Sequence, residues 1–250
     1  MNPDDLKRIR VDILEMIHAA GEGHLASSFS VVELLYAIYA GMDKNDSFFL
    51  SKGHASAALF AVLAHFGHID RKELAGYCKY DSRLGGHPYR ISQAVMAATG
   101  SLGHGFPMAA GYALAKKIKN EPGRVFCLVG DGETNEGSIW ETAMYTEQLG
   151  LKNLVCVIDE NNSQVRAKVS VNIQRKFEAF GWQTASVDGH NLQAINKAIF
   201  SPAAVTSPYC VVAHTVKGKG VKQVEADMFS WHHKAPTEAE LQEFKKEIFS

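Results

Sequence analysis

Gly130-Asp131-Gly132-Glu133-Thr134-Asn135-Glu136-Gly137 follows directly on the apolar run Val125-Phe126-Cys127-Leu128-Val129. Further on, a second apolar run from Leu154 to Ile158 empties into Asp159-Glu160-Asn161-Asn162. Short apolar runs bounded by turn residues read as buried strands. A buried strand that ends in Gly-Asp-Gly aims a carboxylate outward at the carboxyl edge of its sheet, where ligands bind in open α/β folds. The glycines let the backbone turn tightly and approach a phosphate closely. Asp131 offers a carboxylate and Asn161 a carboxamide oxygen. That set suits Mg²⁺, which takes the rest of its octahedron from substrate phosphates and water. An isolated Gly-Asp-Gly carries little weight, because Asp-Gly is common turn chemistry. Two flanking strands and the Asn pair after the second make it a seat for a metal-bound diphosphate.

Outward from this block the chain alternates helices and strands. Leu6, Ile9, Ile13, Ile17 and Ala20 recur at helical spacing and predict a first amphipathic helix. Ser30 with Glu33 has the spacing of a capping box for a second helix through Ile38. Ala55 to Phe66 and Gly105 to Ile118 read as Ala-rich, closely packed helices. Strands are expected at 125–129, 154–158, 182–187 and 209–213, separated by helices around 137–149, 173–180 and 191–200. Thr237 with Glu240 caps a last helix to about Phe249. This βαβ rhythm predicts an α/β fold, a mostly parallel sheet flanked by helices on both faces. With no repeat, low-complexity tract or linker to divide it, the stretch 1–250 reads as one domain.

Composition excludes several classes. The 250 residues carry a net charge of −1 with both signs dispersed, so no footprint for nucleic acid or an anionic membrane is expected. No apolar stretch approaches the roughly 20 residues that span a bilayer. The start, Met1-Asn2-Pro3-Asp4-Asp5, lacks the basic-then-apolar order of a signal peptide. Cys127, Cys156 and Cys210 fall inside apolar strands and read as reduced, buried hydrophobes; with Cys78 they show no paired spacing for structural zinc. A soluble cytoplasmic enzyme is the expectation.

Eleven histidines are many for this length, and several follow glycine, among them His24, His54, His87, His104 and His190. A histidine after glycine tends to sit in a loop, where its ring reaches a ligand rather than filling a core. His18, His65, His68, His190 and His214 read more simply as loop or surface polarity, although His190 ends a strand after Asp188-Gly189. An imidazole of pKa about 6.5 exchanges protons at neutral pH with little adjustment.

Further blocks narrow the reading. They are Gly23-His24 before Ser27-Ser28-Phe29-Ser30, Ser51-Lys52-Gly53-His54, Leu84-Gly85-Gly86-His87-Pro88, Thr99-Gly100-Ser101-Leu102-Gly103-His104-Gly105, and Lys217-Gly218-Lys219-Gly220 leading to Trp231-His232. With the Gly-Asp-Gly block, the chain resembles the thiamine diphosphate enzymes and, within them, the transketolases. The blocks stand in the family's order over nearly the whole chain. The resemblance implies a thiamin-diphosphate-binding fold, thiamine diphosphate and Mg²⁺ as cofactors, and two-carbon ketol transfer from a ketose, phosphorylated or not, to an aldose acceptor.

It also implies roles. His24, His87 and His232 would be catalytic, the first two at the donor's hydroxyls and carbonyl oxygen. His54 and His232 would lie near the diphosphate, Gly100 and Leu102 at the aminopyrimidine and thiazolium, and Gly132 against the diphosphate. Asp131, Asn161 and the main-chain carbonyl of Ser163 would hold Mg²⁺, with Asn161 also touching the cofactor. Glu136 belongs to the cofactor loop and, with Glu141, would sit at a subunit contact between two active sites; the plainer reading is carboxylates favoured by a helix N-terminus. Many family members have Pro and Gln where Ser101 and His104 stand, and commonly Gly where His233 stands.

Full-length transketolases continue into a pyrimidine-binding domain, which supplies the glutamate that activates the cofactor, and a C-terminal domain. The sequence ends at Ser250, soon after Trp231-His232. The expectation is therefore the N-terminal subunit of a split transketolase, paired with a separate C-terminal subunit in a heterotetramer. A subunit of a deoxyxylulose-phosphate synthase or 2-oxoacid dehydrogenase, and a non-catalytic protein of the same fold, are the alternatives.

Overall fold

In a computed structural model that describes residues 3–91, 94–164, 172–201 and 205–250, the two apolar runs that lead to Asp131 and Asn161 are neighbouring parallel strands. Five strands form one sheet: β1 (Ser47–Leu50), β2 (Val125–Gly130), β3 (Leu154–Glu160), β4 (Gln183–Asp188) and β5 (Tyr209–His214). Their order is β1-β2-β3-β5-β4, and every pairing is parallel. Parallel strands need crossovers, and helices supply them. These are α1 (Pro3–Ala20), α2 (Leu25–Phe29), α3 (Val32–Gly41), α4 (Ser56–His65), α5 (Gly105–Lys119), α6 (Gly137–Gln148), α7 (Ile173–Ala179), α8 (Leu192–Phe200), α9 (Lys222–Ala226) and α10 (Glu238–Phe249).

The continuous apolar runs make sense once both faces are covered. Successive side chains of a strand point to opposite faces. Phe126, Leu128, Val155, Val157 and Val211 enter a core with residues of α1, α3, α4, α8 and α10. Val125, Cys127, Val129, Cys156, Ile158 and Cys210 enter a second core with Phe106 of α5, Ile139 of α6 and Phe177 of α7. Each such aliphatic or aromatic side chain contributes roughly 1.5–3 kcal/mol on burial. The three strand cysteines are buried free thiols, as expected.

The four predicted strands and the helices expected at 55–66, 105–118, 137–149, 173–180 and 191–200 lie within a residue or two of their expected ends, the helix expected through Ile38 runs on to Gly41, and Thr237 and Glu240 form the capping box. Two features differ. The edge strand β1 escaped notice, because four residues bounded by Asp46 and Ser51 are too short to show a period. The capping box at Ser30 and Glu33 does not form: α3 starts after Val31, which makes no side-chain cap. Ser30 instead donates to Asp159, and Glu33 is buried against Arg10. Among the described residues no helix is long and apolar enough to cross a membrane.

Candidate active site

All the candidate motifs gather at the carboxyl edge of the sheet, because each follows a strand or packs on the loop that does. Gly130 stands opposite Asp159 in the β2–β3 register, so the next residue, Asp131, begins beside it, with its N–H donating to the Asp159 carbonyl at 3.0 Å. Ser51 and Lys52 leave β1 with both N–H groups on the Leu128 carbonyl, at 2.9 and 3.2 Å. Thr215 and Lys217 follow β5.

Two carboxylates on neighbouring strands are treated oppositely. Asp159 has no exposed surface and accepts from Lys52 Nζ, Thr215 Oγ1, Ser30 Oγ at 2.8 Å and Asn161 Nδ2 at 2.8 Å. Asp131 is only 2 % exposed; its Oδ1 accepts from Gly132 N at 2.7 Å, while Oδ2 is buried with no hydrogen-bond partner among the described residues. Burial, then the Asp159 charge, push the Asp131 carboxyl up to about 6. An orphaned buried carboxylate oxygen is costly unless a cation or proton meets it.

Asn161 Oδ1 accepts from Ser163 N at 3.0 Å and from Ser163 Oγ. A carboxylate, a carboxamide oxygen and nearby main chain suit a hard divalent cation that keeps most of its shell from phosphate and water. Among the described residues no cluster of three or more His, Cys, Asp or Glu forms an all-protein metal cage, which such a site does not need. A Cβ added at Gly132 would meet nothing within 4 Å, so the turn presents bare main chain to open space. The donor set fits Mg²⁺ bridging a diphosphate.

Two buried lysines line the same floor. Lys217 Nζ donates to Ser163 Oγ at 2.9 Å and lies 2.9 Å from His232 Nδ1. Burial, then the Lys52 charge, lower Lys217 to about 8. With the ammonium donating, His232 Nδ1 is the acceptor, and the neutral ring carries its proton on Nε2.

Four predicted histidines meet. The His24 ring centroid lies 5.0 Å from His54, 6.4 Å from His87 and 5.4 Å from His232; His54 lies 6.0 Å from His87 and 6.2 Å from His232. Local structure explains the convergence. His24 follows Gly23, whose φ of +145° favours glycine and which packs on Ile17. Its bridge pairing with Lys234 ties it to the loop carrying His232, and Trp231 anchors that loop against Phe244. A Cβ on Gly53 would lie 3.0 Å from His87 Cδ2 and 3.1 Å from Gly100, so glycine lets these loops touch. Burial, then His54 and the other imidazoles, push His24 down to about 3; burial, then Lys52, push His54 down to about 4. Both rings are neutral at pH 7.

The depressed histidines set a pH dependence. Between the unfolded value of 6.5 and the folded values near 3 and 4, the unfolded chain binds protons that the fold refuses. That contribution is intact above 6.5 and is lost as pH falls through the window. Asp131 acts in the opposite sense, so the expected result is differential: wild type loses stability relative to His24→Gln on going from pH 7 to pH 4.5. Urea midpoints of both proteins at the two pH values check it, and equal shifts would refute it.

Other predicted residues fall differently. His104 is exposed at the N-cap of α5 and, among the described residues, joins none of these ring contacts. Gly100 packs on His87, and Leu102 is half-buried in the same loop. Glu136 and Glu141 are exposed at the start of α6. His190 takes a structural place: Nδ1 faces Glu33 Oε2 at 3.2 Å and Nε2 accepts from Val216 N at 2.8 Å. Arg10 completes this network, donating to Glu33 at 2.7 and 2.9 Å and to the Lys219 carbonyl at 2.9 Å. It braces the Lys217–Gly220 turn from below. His18, His65, His68 and His214 pair with Glu238, Asp5, Tyr39 and Glu160, in keeping with their plainer reading.

Sequence reasoning gave no role to Lys52, Glu133, Asp159, Lys217 or His233. Glu133 is buried and accepts from Ser51 Oγ at 2.5 Å, Gly103 N at 2.9 Å and Gly130 N at 3.1 Å, tying three loops together. His233 is the nearest ring to His24, at 4.6 Å. For Asp159 the available signal was position: a charged residue immediately beyond the apolar run from Leu154 to Ile158 sits at the sheet edge, where a partner is required.

Comparison with known proteins bears on this edge. The family model described as "Transketolase, thiamine diphosphate binding domain" matches residues 2–249. The human protein named transketolase is 36% identical over 264 residues, covering 99% of this chain and 42% of the relative. A Phocaeicola vulgatus protein, named as one subunit of an apulose-4-phosphate transketolase, is 32% identical over 255 residues, covering 96% of this chain and 90% of the relative. Among solved structures, transketolase from Campylobacter jejuni superposes with a TM-score of 0.88 at 27% identity, over all of this chain and 43% of that one. The chain thus spans under half the length of the first of these relatives. By the family match along almost its whole length, and by a fold that superposes on a solved transketolase, the chain belongs to the transketolase family and corresponds to its thiamine diphosphate-binding domain.

Proposed function

We propose that residues 1–250 act as one domain that seats the diphosphate end of thiamine diphosphate on Mg²⁺, in a soluble cytoplasmic transketolase. The enzyme would move a two-carbon ketol unit from a ketose, phosphorylated or not, to an aldose acceptor. A separate C-terminal subunit, in a heterotetramer, would hold the pyrimidine end. The observation that carries the reading is the buried Oδ2 of Asp131, unpartnered among the described residues, at the sheet edge where the histidine loops meet. Coverage of most of a relative named as one subunit supports the two-chain form.

When bound, the cofactor supplies the electron sink for carbon–carbon cleavage. The chain's own residues bind, orient and move protons. Asp131, Asn161 and the Ser163 carbonyl hold the cation, and Gly132 presents main chain to the diphosphate. Lys217 offsets the anionic charge from below, while Lys52 is taken up by Asp159. His54 and His232 would lie near the diphosphate, and Gly100 and Leu102 would meet the aminopyrimidine and thiazolium region. His24 and His87 face the donor's hydroxyls and carbonyl oxygen. Because His24 is neutral at pH 7, it can donate from one ring nitrogen and accept at the other. His232 donates from Nε2 while Lys217 holds Nδ1. Glu136 and Glu141 are left on the surface for a subunit contact.

His24→Ala and His87→Ala should each lower turnover by roughly 10²–10⁴-fold, the range for acid–base and positioning groups, with cofactor affinity little changed. Steady-state kinetics with calorimetry of cofactor binding separates the two. Near-wild-type rates in either variant would return that residue to a structural role.

A further inference from the structure

We propose that Asp159 is the positioning residue of the metal seat: it fixes which way the Asn161 carboxamide faces and keeps Lys52 away from Asp131. This inference rests on the Mg²⁺-diphosphate reading above. A carboxamide offers a donor edge and an acceptor edge of nearly the same shape, so its neighbours decide which is which. On one side of Asn161 stand two acceptors, Asp159 Oδ2 at 2.8 Å and Ser30 Oγ at 3.2 Å, and these take Nδ2. On the other side the Ser163 N–H donates at 3.0 Å, which demands Oδ1 there. Ser30 is itself held as an acceptor toward the amide, because its one hydroxyl proton is taken by Asp159 Oδ2 at 2.8 Å or the Ser27 carbonyl at 3.1 Å. The amide oxygen is therefore turned to the Ser163 side, where the Ser163 hydroxyl also donates to it, and this is the atom that the proposed Mg²⁺ seat would use.

The second half of the role is a division of charge. Lys52 is buried and pairs with Asp159 Oδ2, while Thr215 and Ser30 also donate to that carboxylate. Asp159 is thereby saturated, and Asp131 Oδ2 remains unpartnered among the described residues. Were Asp159 neutral, Lys52 would be left as an uncompensated buried cation beside the place where the metal binds. Outer partners that orient a ligand commonly set metal affinity without touching the metal.

The test is Mn²⁺ affinity, read by electron paramagnetic resonance in the assembled enzyme with saturating thiamine diphosphate. Asp159→Leu, which leaves no acceptor for Asn161 Nδ2 at that position, should weaken Mn²⁺ by about 10–100-fold, the range for partners of this kind. The double variant Asp159→Leu/Lys52→Met removes the stranded ammonium; it should recover thermal stability but not metal affinity, because the amide is still unfixed. Full recovery of affinity would show that Asp159 only balances charge and would overturn the orienting role. Should Asp159→Leu fail to fold, Ser30→Ala removes one acceptor from the amide while leaving the Lys52 pair, and a smaller loss of the same sign is expected; unchanged affinity overturns the inference. Asp131→Asn separates the two layers. Loss of Mn²⁺ in Asp131→Asn with wild-type affinity in Asp159→Leu sinks this inference alone. Wild-type affinity in Asp131→Asn sinks the metal seat and the inference with it.

Discussion

Supplied with saturating Mg²⁺ and thiamine diphosphate but no other chain, the purified protein is expected to show negligible ketol transfer. Thiamine diphosphate has two ends, and the cluster at Asp131, Asn161 and Lys217 suits only the anionic one. The aminopyrimidine needs a carboxylic acid to make it an internal base, and in the proposed arrangement that acid sits on the partner. Spans of 42% against a full-length transketolase and 90% against a relative named as one subunit fit this division. Adding the cognate C-terminal chain should restore transfer in a coupled assay, with a heterotetramer visible by mass measurement. Full-rate activity from this chain alone would end the two-chain reading.

Asp131→Ala should abolish Mg²⁺-dependent cofactor binding in the assembled enzyme while leaving the fold intact. The sign of its effect on stability is informative. The folded carboxyl is raised from 3.8 to about 6, first by burial and then by Asp159. A group raised in this way stabilises the fold below the unfolded value and loses that contribution as pH rises through the folded one. At pH 7.5 the metal-free protein therefore carries a destabilising charge on the order of 1–3 kcal/mol. Asp131→Asn, which keeps an acceptor for Gly132 N–H, should melt no lower than metal-free wild type. Wild type should gain melting temperature when Mg²⁺ and cofactor are added, and neither variant should. Unchanged cofactor affinity by calorimetry in Asp131→Ala would remove the metal seat from the site.

Much of this molecule was legible as a string. β2 and β3 announce themselves because a strand buried on both faces is apolar at every position, and each stops at a polar residue that must reach the edge. Asp131 and Asn161 follow from those endings, and His24, His54 and His87 from the glycine before each, whereas His232 came only from the family motif Trp231-His232. Such features are local, so a short window of chain holds the whole signal. What tertiary structure decided is partnership. The spacing of Ser30 and Glu33 fits a cap equally well, but folding brings Asp159 and Arg10 within reach, and charged or buried partners outbid a helix end. His233 meets His24 only because the Trp231 loop pairs beside residue 24. Whether Asp131 or Asp159 keeps an empty oxygen is invisible in two similar strand endings. Strand order settles it: β3 lies between β2 and β5, so Asp159 receives donors from both sides, while Asp131, one step beyond the end of β2, keeps an oxygen that no described residue meets.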